Sequence, residues 1–453
     1  MFASFGGWKY STVEIFDKGF FVLFLFSECQ SLNLKNNCLR TQPKNKLKIP
    51  LCLICFLVVA ASSIGQEPAG LGELLKDYEN QRVLAAIDRG LNWLKLQQGV
   101  NGLFRDHPRM TALVISAFLK HPTGKSSGGT EYSDETPFLK KAIISLLEFS
   151  NQEGSIYDEE KLPRSPCSDT SFAIMALGLV KQKTKGENQR GEYQKYINKA
   201  RNYIKDLQNK VNEDDKYYGG IGYGSRETVN DLLNLSFALQ AIRESESKES
   251  YKDDTIIWDR ALTFVSRCQN LSDKNDREQW VSNGPNDGGF VYAPSGESKA
   301  NKKAPTSYAS MTYTGLLCLL LCESFDKYDE IDRYDIRITR AFDWISQNYS
   351  LEGNHGMKGR QAKHDLYYTY YMMAKTLSLF GEDTISDSRG NEHKWYRELS
   401  AHLMQEQVVE DASNEQLVVG YWKNSEGGWR ERDTLLTTCY AILALEEGFP
   451  KQK

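Results

Sequence analysis

The sequence contains no block of like charge. Its 56 Lys and Arg nearly balance its 60 Asp and Glu, giving a formal net charge of −4 over 453 residues. With neither a basic stripe nor an acidic tract, no nucleic-acid partner is expected. A disulfide framework is also missing. Of nine cysteines, five lie beyond residue 66 (Cys167, Cys268, Cys318, Cys322 and Cys439), an odd number scattered through helical segments. They read as small apolar core residues. No Ser-His-Asp or Cys-His pattern and no phosphate loop stands out, and nothing calls for a metal or a cofactor.

A comfortable transmembrane span is not expected either. The apolar run Ile49 to Ala61 is short for one, but it follows Lys44, Lys46 and Lys48 and precedes Ser62, Ser63 and Gly65. Basic, apolar and small-residue regions in that order are those of a secretory signal peptide. Residues 44–65 are therefore expected to be removed near Gly65-Gln66, leaving an exported protein, periplasmic or extracellular, with no stable transmembrane span. An uncleaved signal that anchors the chain to the membrane is the alternative. Residues 1–43 fit no domain and read as an upstream extension.

What the chain does have is a repeat. A basic residue followed by a small one opens Arg89-Gly90-Leu91-Asn92-Trp93-Leu94, Lys199-Ala200-Arg201-Asn202-Tyr203-Ile204, Arg260-Ala261-Leu262-Thr263-Phe264-Val265 and Arg340-Ala341-Phe342-Asp343-Trp344-Ile345. Shorter versions are Lys141-Ala142 and Glu398-Leu399. The anchors fall roughly 50 to 80 residues apart, too long for the common helical solenoids. Each unit has room for two helices and a long connection. Glycine pairs (Gly219-Gly220, Gly288-Gly289, Gly427-Gly428) mark the turns, where they permit positive φ and close backbone approach. The Lys- and Glu-rich stretches 181–195, 243–254 and 297–303 read as solvated loops between repeats.

The motif Arg89-Gly90-x-x-Trp93-Leu94-x-x-x-Gln98-x-x-x-Gly102-x-Phe104 resembles the repeat of squalene and oxidosqualene cyclases and of protein prenyltransferase beta subunits, with Phe104 where the cyclase repeat has Trp. The fourth repeat keeps Gln269 and Asp287-Gly288-Gly289-Phe290; the sixth keeps Gln407 and Glu426-Gly427-Gly428-Trp429. The resemblance covers about residues 80 to 448. It implies an all-α fold, an (α/α)6 toroid over residues 72–450, in which six outer helices alternate with six inner helices around a central cavity.

Asp169, Asp231, Asp365 and Asp433 each introduce an apolar run that would form an inner helix. Asp is a good N-cap there. In a toroid these four would meet at one mouth of the cavity, with Tyr308, Tyr367 and Tyr440 along its wall, and they are the candidate ligand-binding residues. Catalytic residues are not identified. The resemblance also carries departures. Where squalene-type cyclases hold the protonating Asp of Asp-x-Asp-Asp-Thr, Ser168 and Arg432 stand in the two related segments. Where prenyltransferases hold a zinc-binding His, Tyr368 stands, and the expected Asp-x-Cys is absent. The chain is thus expected to bind a small-molecule, isoprenoid or glycan ligand without either family chemistry. A polysaccharide lyase or hydrolase using the same ring, or a divergent terpenoid cyclase, remains open.

Overall fold

The structure, a computed structural model, describes residues 71–450 apart from 126–128, 130, 162–164, 211, 225–228, 246–254, 277–284, 295–297, 328–332 and 413–416. The signal-peptide and upstream-extension readings fall outside the described residues. Those residues form a mostly helical fold with twelve α-helices and two small hairpins. The helices are α1 (Leu71–Lys95), α2 (Pro108–Leu119), α3 (Pro137–Leu147), α4 (Pro166–Lys183), α5 (Glu187–Asp206), α6 (Leu232–Ser245), α7 (Thr255–Arg267), α8 (Ala309–Lys327), α9 (Ile336–Gln347), α10 (Leu366–Phe380), α11 (Trp395–Glu406) and α12 (Thr434–Glu447). The hairpins pair β1 (Ile385–Ser386) with β2 (Glu392–His393), and β3 (Val408–Ala412) with β4 (Leu417–Tyr421), both antiparallel. Neither hairpin was expected from the repeat pattern. A further departure is α5, whose first half lies within the Lys- and Glu-rich stretch 181–195. Those charges ride the solvent side of a helix that buries Tyr193 and Ile197.

Two kinds of helix alternate, and composition separates them. All six repeat anchors fall in odd-numbered helices, which are amphipathic; α9, for example, buries only Ile338, Ala341, Trp344 and Ile345. Even-numbered helices are apolar nearly all round and buried accordingly: every residue of α2 except Arg109 is buried, and α12 is buried from Leu435 to Glu446. A helix with no polar face must be surrounded by other helices. Here α2 packs on α4, α4 on α6, α6 on α8, α8 on α10, α10 on α12, and α12 on α2. No described helix is long and apolar enough to cross a membrane. The five described cysteines are all free and buried, as core residues would be.

The repeat has a physical cause: each turn docks on the next odd-numbered helix. Gln98 Nε2 donates to Gly102 O and to Phe138 O of α3, both at 2.9 Å. Gln208 Nε2 does the same to Gly219 O (3.1 Å) and Ile257 O (2.9 Å), and Gln269 Nε2 to Gly288 O and Arg337 O, both at 2.9 Å. Gln407 Nε2 reaches back to Ala86 O of α1 at 2.9 Å, so the last repeat is tied to the first. Gly219 (φ +80) and Gly288 (φ +83) sit where a Cβ would lie 1.8 Å from Arg260 O and 2.5 Å from Arg340 O. In these two repeats, and likewise at Gly102 with Lys141 O and Gly154 with Lys199 O, the basic residue of the anchor supplies the carbonyl that the preceding glycine abuts. From the other side, threonines of the buried helices hold the turn aromatics: Phe104 N donates to Thr111 Oγ1, Phe290 N to Thr312 Oγ1 and Trp422 N to Thr438 Oγ1, at 3.0 to 3.1 Å.

The last of these bonds corrects the sixth repeat. Its turn aromatic is Trp422, fully buried directly after β4, and not Trp429. The segment Gly427-Gly428-Trp429 is a separate loop with a half-exposed indole.

Candidate functional site

Asp231, Asp365 and Asp433 immediately precede α6, α10 and α12, as the sequence suggested, but they behave differently. Asp433 caps α12 through Oδ1, accepting from Leu435 N at 3.0 Å, and also pairs with Arg105 at 3.1 Å. Asp231 is fully buried. Its Oδ1 accepts from Asn234 N and its Oδ2 from Asn234 Nδ2, both at 2.8 Å. Burial pushes its carboxyl up to about 6 despite these bonds and one from the Tyr292 hydroxyl. Asp365 occupies the cap position of α10 in the left-handed region (φ 53, ψ 31) and makes no side-chain cap bond. Burial, and then the negative charge of Glu431, hold its carboxyl well above the ordinary range.

Asp169 is not a cap. It lies inside the first turn of α4, whose cap position is Ser165, and its Oδ1 is held by Arg109 of α2 at 2.6 Å and 2.8 Å. Proline at the first helical position starts α4 upstream of the expected place.

The missing cap of α10 comes from a distant residue that sequence reasoning passed over. Glu431, 1 % exposed, accepts Tyr368 N at 2.7 Å through Oε1 and Asn424 Nδ2 at 2.9 Å through Oε2. The amides of Tyr367 and Leu366 also face it. A carboxyl at a helix N-terminus is normally acidic, but burial dominates and raises Glu431 to about 7.

A cleft of about 530 Å³ opens among the loops that carry these acids. Its lining comes from the segments that precede α6, α8, α10 and α12: Val229; Tyr292, Ser298, Lys299 and Lys302; Gln361 and His364; Gly428 and Trp429. Tyr292 connects it to Asp231, and Lys299 is close enough to both Asp231 and Asp365 to favour their ionised forms. Asp231 and Glu431, both pushed up by burial, lie near this cleft without lining it.

The three tyrosines named from the sequence lie deeper and are all buried. Tyr308 precedes α8, and burial, followed by Asp365 and Asp231, keeps its phenol well above the ordinary range. Tyr367 meets the Tyr370 ring edge-on at 5.5 Å. Tyr440 stacks on Tyr371 at 5.7 Å and meets Tyr368 at 5.8 Å. Tyr368 in turn bonds Thr314 Oγ1 at 2.9 Å and lies against Phe237, which packs on Phe172. Aromatic rings from α4, α6, α10 and α12 therefore fill the space between these helices.

At the opposite ends of the buried helices, Lys120 pairs with Glu447 at 2.5 Å and Lys375 with Glu244 at 3.2 Å. A second groove, about 490 Å³, opens on the outside between α9 and the β1–β2 hairpin, away from the acids. Among the described residues no three metal-liganding side chains come together. No family model matches the chain, and no curated protein matches it.

Proposed function

We propose that the twelve helices form an (α/α)6 toroid of the squalene cyclase and prenyltransferase type, and that the exported protein binds a small ligand in the cleft at the mouth formed by its inner helices. The cyclic packing of the even-numbered helices and the Gln407 tie from last repeat to first support the toroid. The cleft carries the functional reading: loops of four repeats converge on one space, whose Tyr292 bonds Asp231 and whose Lys299 lies close to Asp365. Buried carboxyls with raised proton affinity cost stability, and such groups gather where they serve a ligand or a reaction. The site residues are Asp231 and Asp365 with Glu431 beside them, and the rim residues around Trp429. Asp169 and Asp433, each engaged by an arginine, hold neighbouring repeats together.

The aromatic filling between the inner helices leaves little room for a long hydrocarbon, which weighs against a divergent cyclase. Acid–base hydrolysis or elimination is the second reading, favoured by the carboxyls of Asp231 and Asp365 near Lys299 of the cleft.

Hydrogen exchange in the presence of a panel of isoprenoid diphosphates and oligosaccharides tests the location. Protection is expected at 229–232, 290–294, 361–368 and 428–433 together. Protection confined to the outer groove around Phe342 and Ser388 would place the site elsewhere.

A further inference from the structure

The rim of the cleft has a chemistry of its own. Trp429 is 50 % exposed beside the cavity, and it and Arg430 both adopt left-handed backbone conformations (φ 41 and 75). Side chains other than glycine seldom adopt these unless the surroundings impose them. His364 packs against this loop: its ring and the indole meet at right angles at 5.2 Å and 89°, and a Cβ on Gly428 would lie 2.7 Å from the same ring. The indole is therefore braced by His364 and half exposed at the rim, a stacking surface for a ligand ring.

On the same lining stand Lys299 and Lys302, neither of them ion-paired among the described residues. Lys299 lies over the Tyr292 ring at 4.6 Å, so Lys302 is the more available cation. Gln361 adds an amide. No described residue donates a hydrogen bond to the Asp365 carboxyl. A bare hydrocarbon lying here would take the ammonium and the amide out of water with no partner, at a cost for each polar group. A hydroxylated ring bearing a negative charge, one apolar face of which can stack on the indole, meets them.

Resting on the reading of the cleft as the binding site, we infer that it takes an acidic saccharide: a pyranose stacked on Trp429, its carboxylate on Lys302 and its hydroxyls on Gln361 and Asp365. Titration of the purified protein with trigalacturonate, maltotriose and farnesyl diphosphate, read by calorimetry and hydrogen exchange, tests this. Trigalacturonate is expected to bind and to protect 361–366 and 428–433. Trp429→Ala and Lys302→Ala should each weaken it by roughly tenfold or more at unchanged melting temperature, since each removes a charged or stacking contact. Equal binding of maltotriose, or an unaffected Lys302→Ala, overturns the acidic ligand. Farnesyl diphosphate protecting those segments in place of trigalacturonate overturns the saccharide but leaves the cleft as the site. Protection by none of the three counts against both.

Discussion

Glu431 Oε1 accepts the backbone N–H of Tyr368 at 2.7 Å, so the N-terminus of α10 is capped by a carboxyl from the loop before α12, while Asp365 at the cap position makes no such bond. The helix is thus tied to its neighbour by a group whose proton affinity is raised from 4.5 to about 7.

That relationship has a pH signature. Between about 4.5 and 7 the folded protein retains a proton on Glu431 that the unfolded chain has released, so stability falls as pH rises through this window and levels off above it. The contribution is on the order of 3 kcal/mol at most. Asp231, raised from 3.8 to about 6, adds a similar fall between those values. Urea melts from pH 4 to 8 should show the decline, and Glu431→Gln, which keeps an accepting oxygen, should flatten its upper part. An unchanged slope in the variant would assign the titration to another group.

The turn glutamines should be unequal to their neighbours. Gln98→Ala leaves Gly102 O and Phe138 O without their donor and is expected to cost about 1–3 kcal/mol. Gln97, whose side chain makes only a 3.5 Å contact to Trp93 O among the described residues, should tolerate Ala within about 0.5 kcal/mol. Gln407→Ala should speed amide exchange around Ala86 in α1, because that bond joins the sixth repeat to the first. Equal costs at positions 97 and 98 would remove the docking explanation of the repeat.

Two glycines should respond with opposite sign. Gly219→Ala drives a Cβ to 1.8 Å from Arg260 O, a backbone atom that cannot move aside, and should cost more than about 4 kcal/mol or prevent folding. Gly191 lies exposed within α5 with nothing within 4 Å of an added Cβ. Gly191→Ala should therefore stabilise by about 0.5–1 kcal/mol. Thermal melts of both variants decide it.

Export is tested by intact mass. A mature chain beginning near Gln66 is expected in the external or periplasmic fraction. Peptides from residues 1–43 in the folded protein would contradict removal of the signal.

The helix pairs were legible because the anchors report a local requirement: a small residue and a basic residue at the place where the preceding turn docks, and amphipathic or wholly apolar runs on either side. The cap positions of Asp231, Asp365 and Asp433 were legible for the same reason. Glu431 was not, since its partner amides lie more than sixty residues upstream and no local pattern marks it. Trp429 was misread because Gly-Gly-Trp mimics the turn motif, while the true turn residue, Trp422, is separated from Gln407 by a hairpin. Asp169 was misplaced because Pro166 moves the start of α4 upstream.

The most direct measurement is ligand titration and thermal melting on one sample of Asp365→Asn. Asn tolerates the left-handed conformation that Asp365 adopts, and it relieves the repulsion with Glu431, so melting temperature should hold or rise. If the cleft is the binding site, affinity should fall by about tenfold or more, as a charged or proton-exchanging contact to the ligand is lost. Undiminished affinity with unchanged melting would contradict the central claim and leave Asp365 a structural residue at the start of α10.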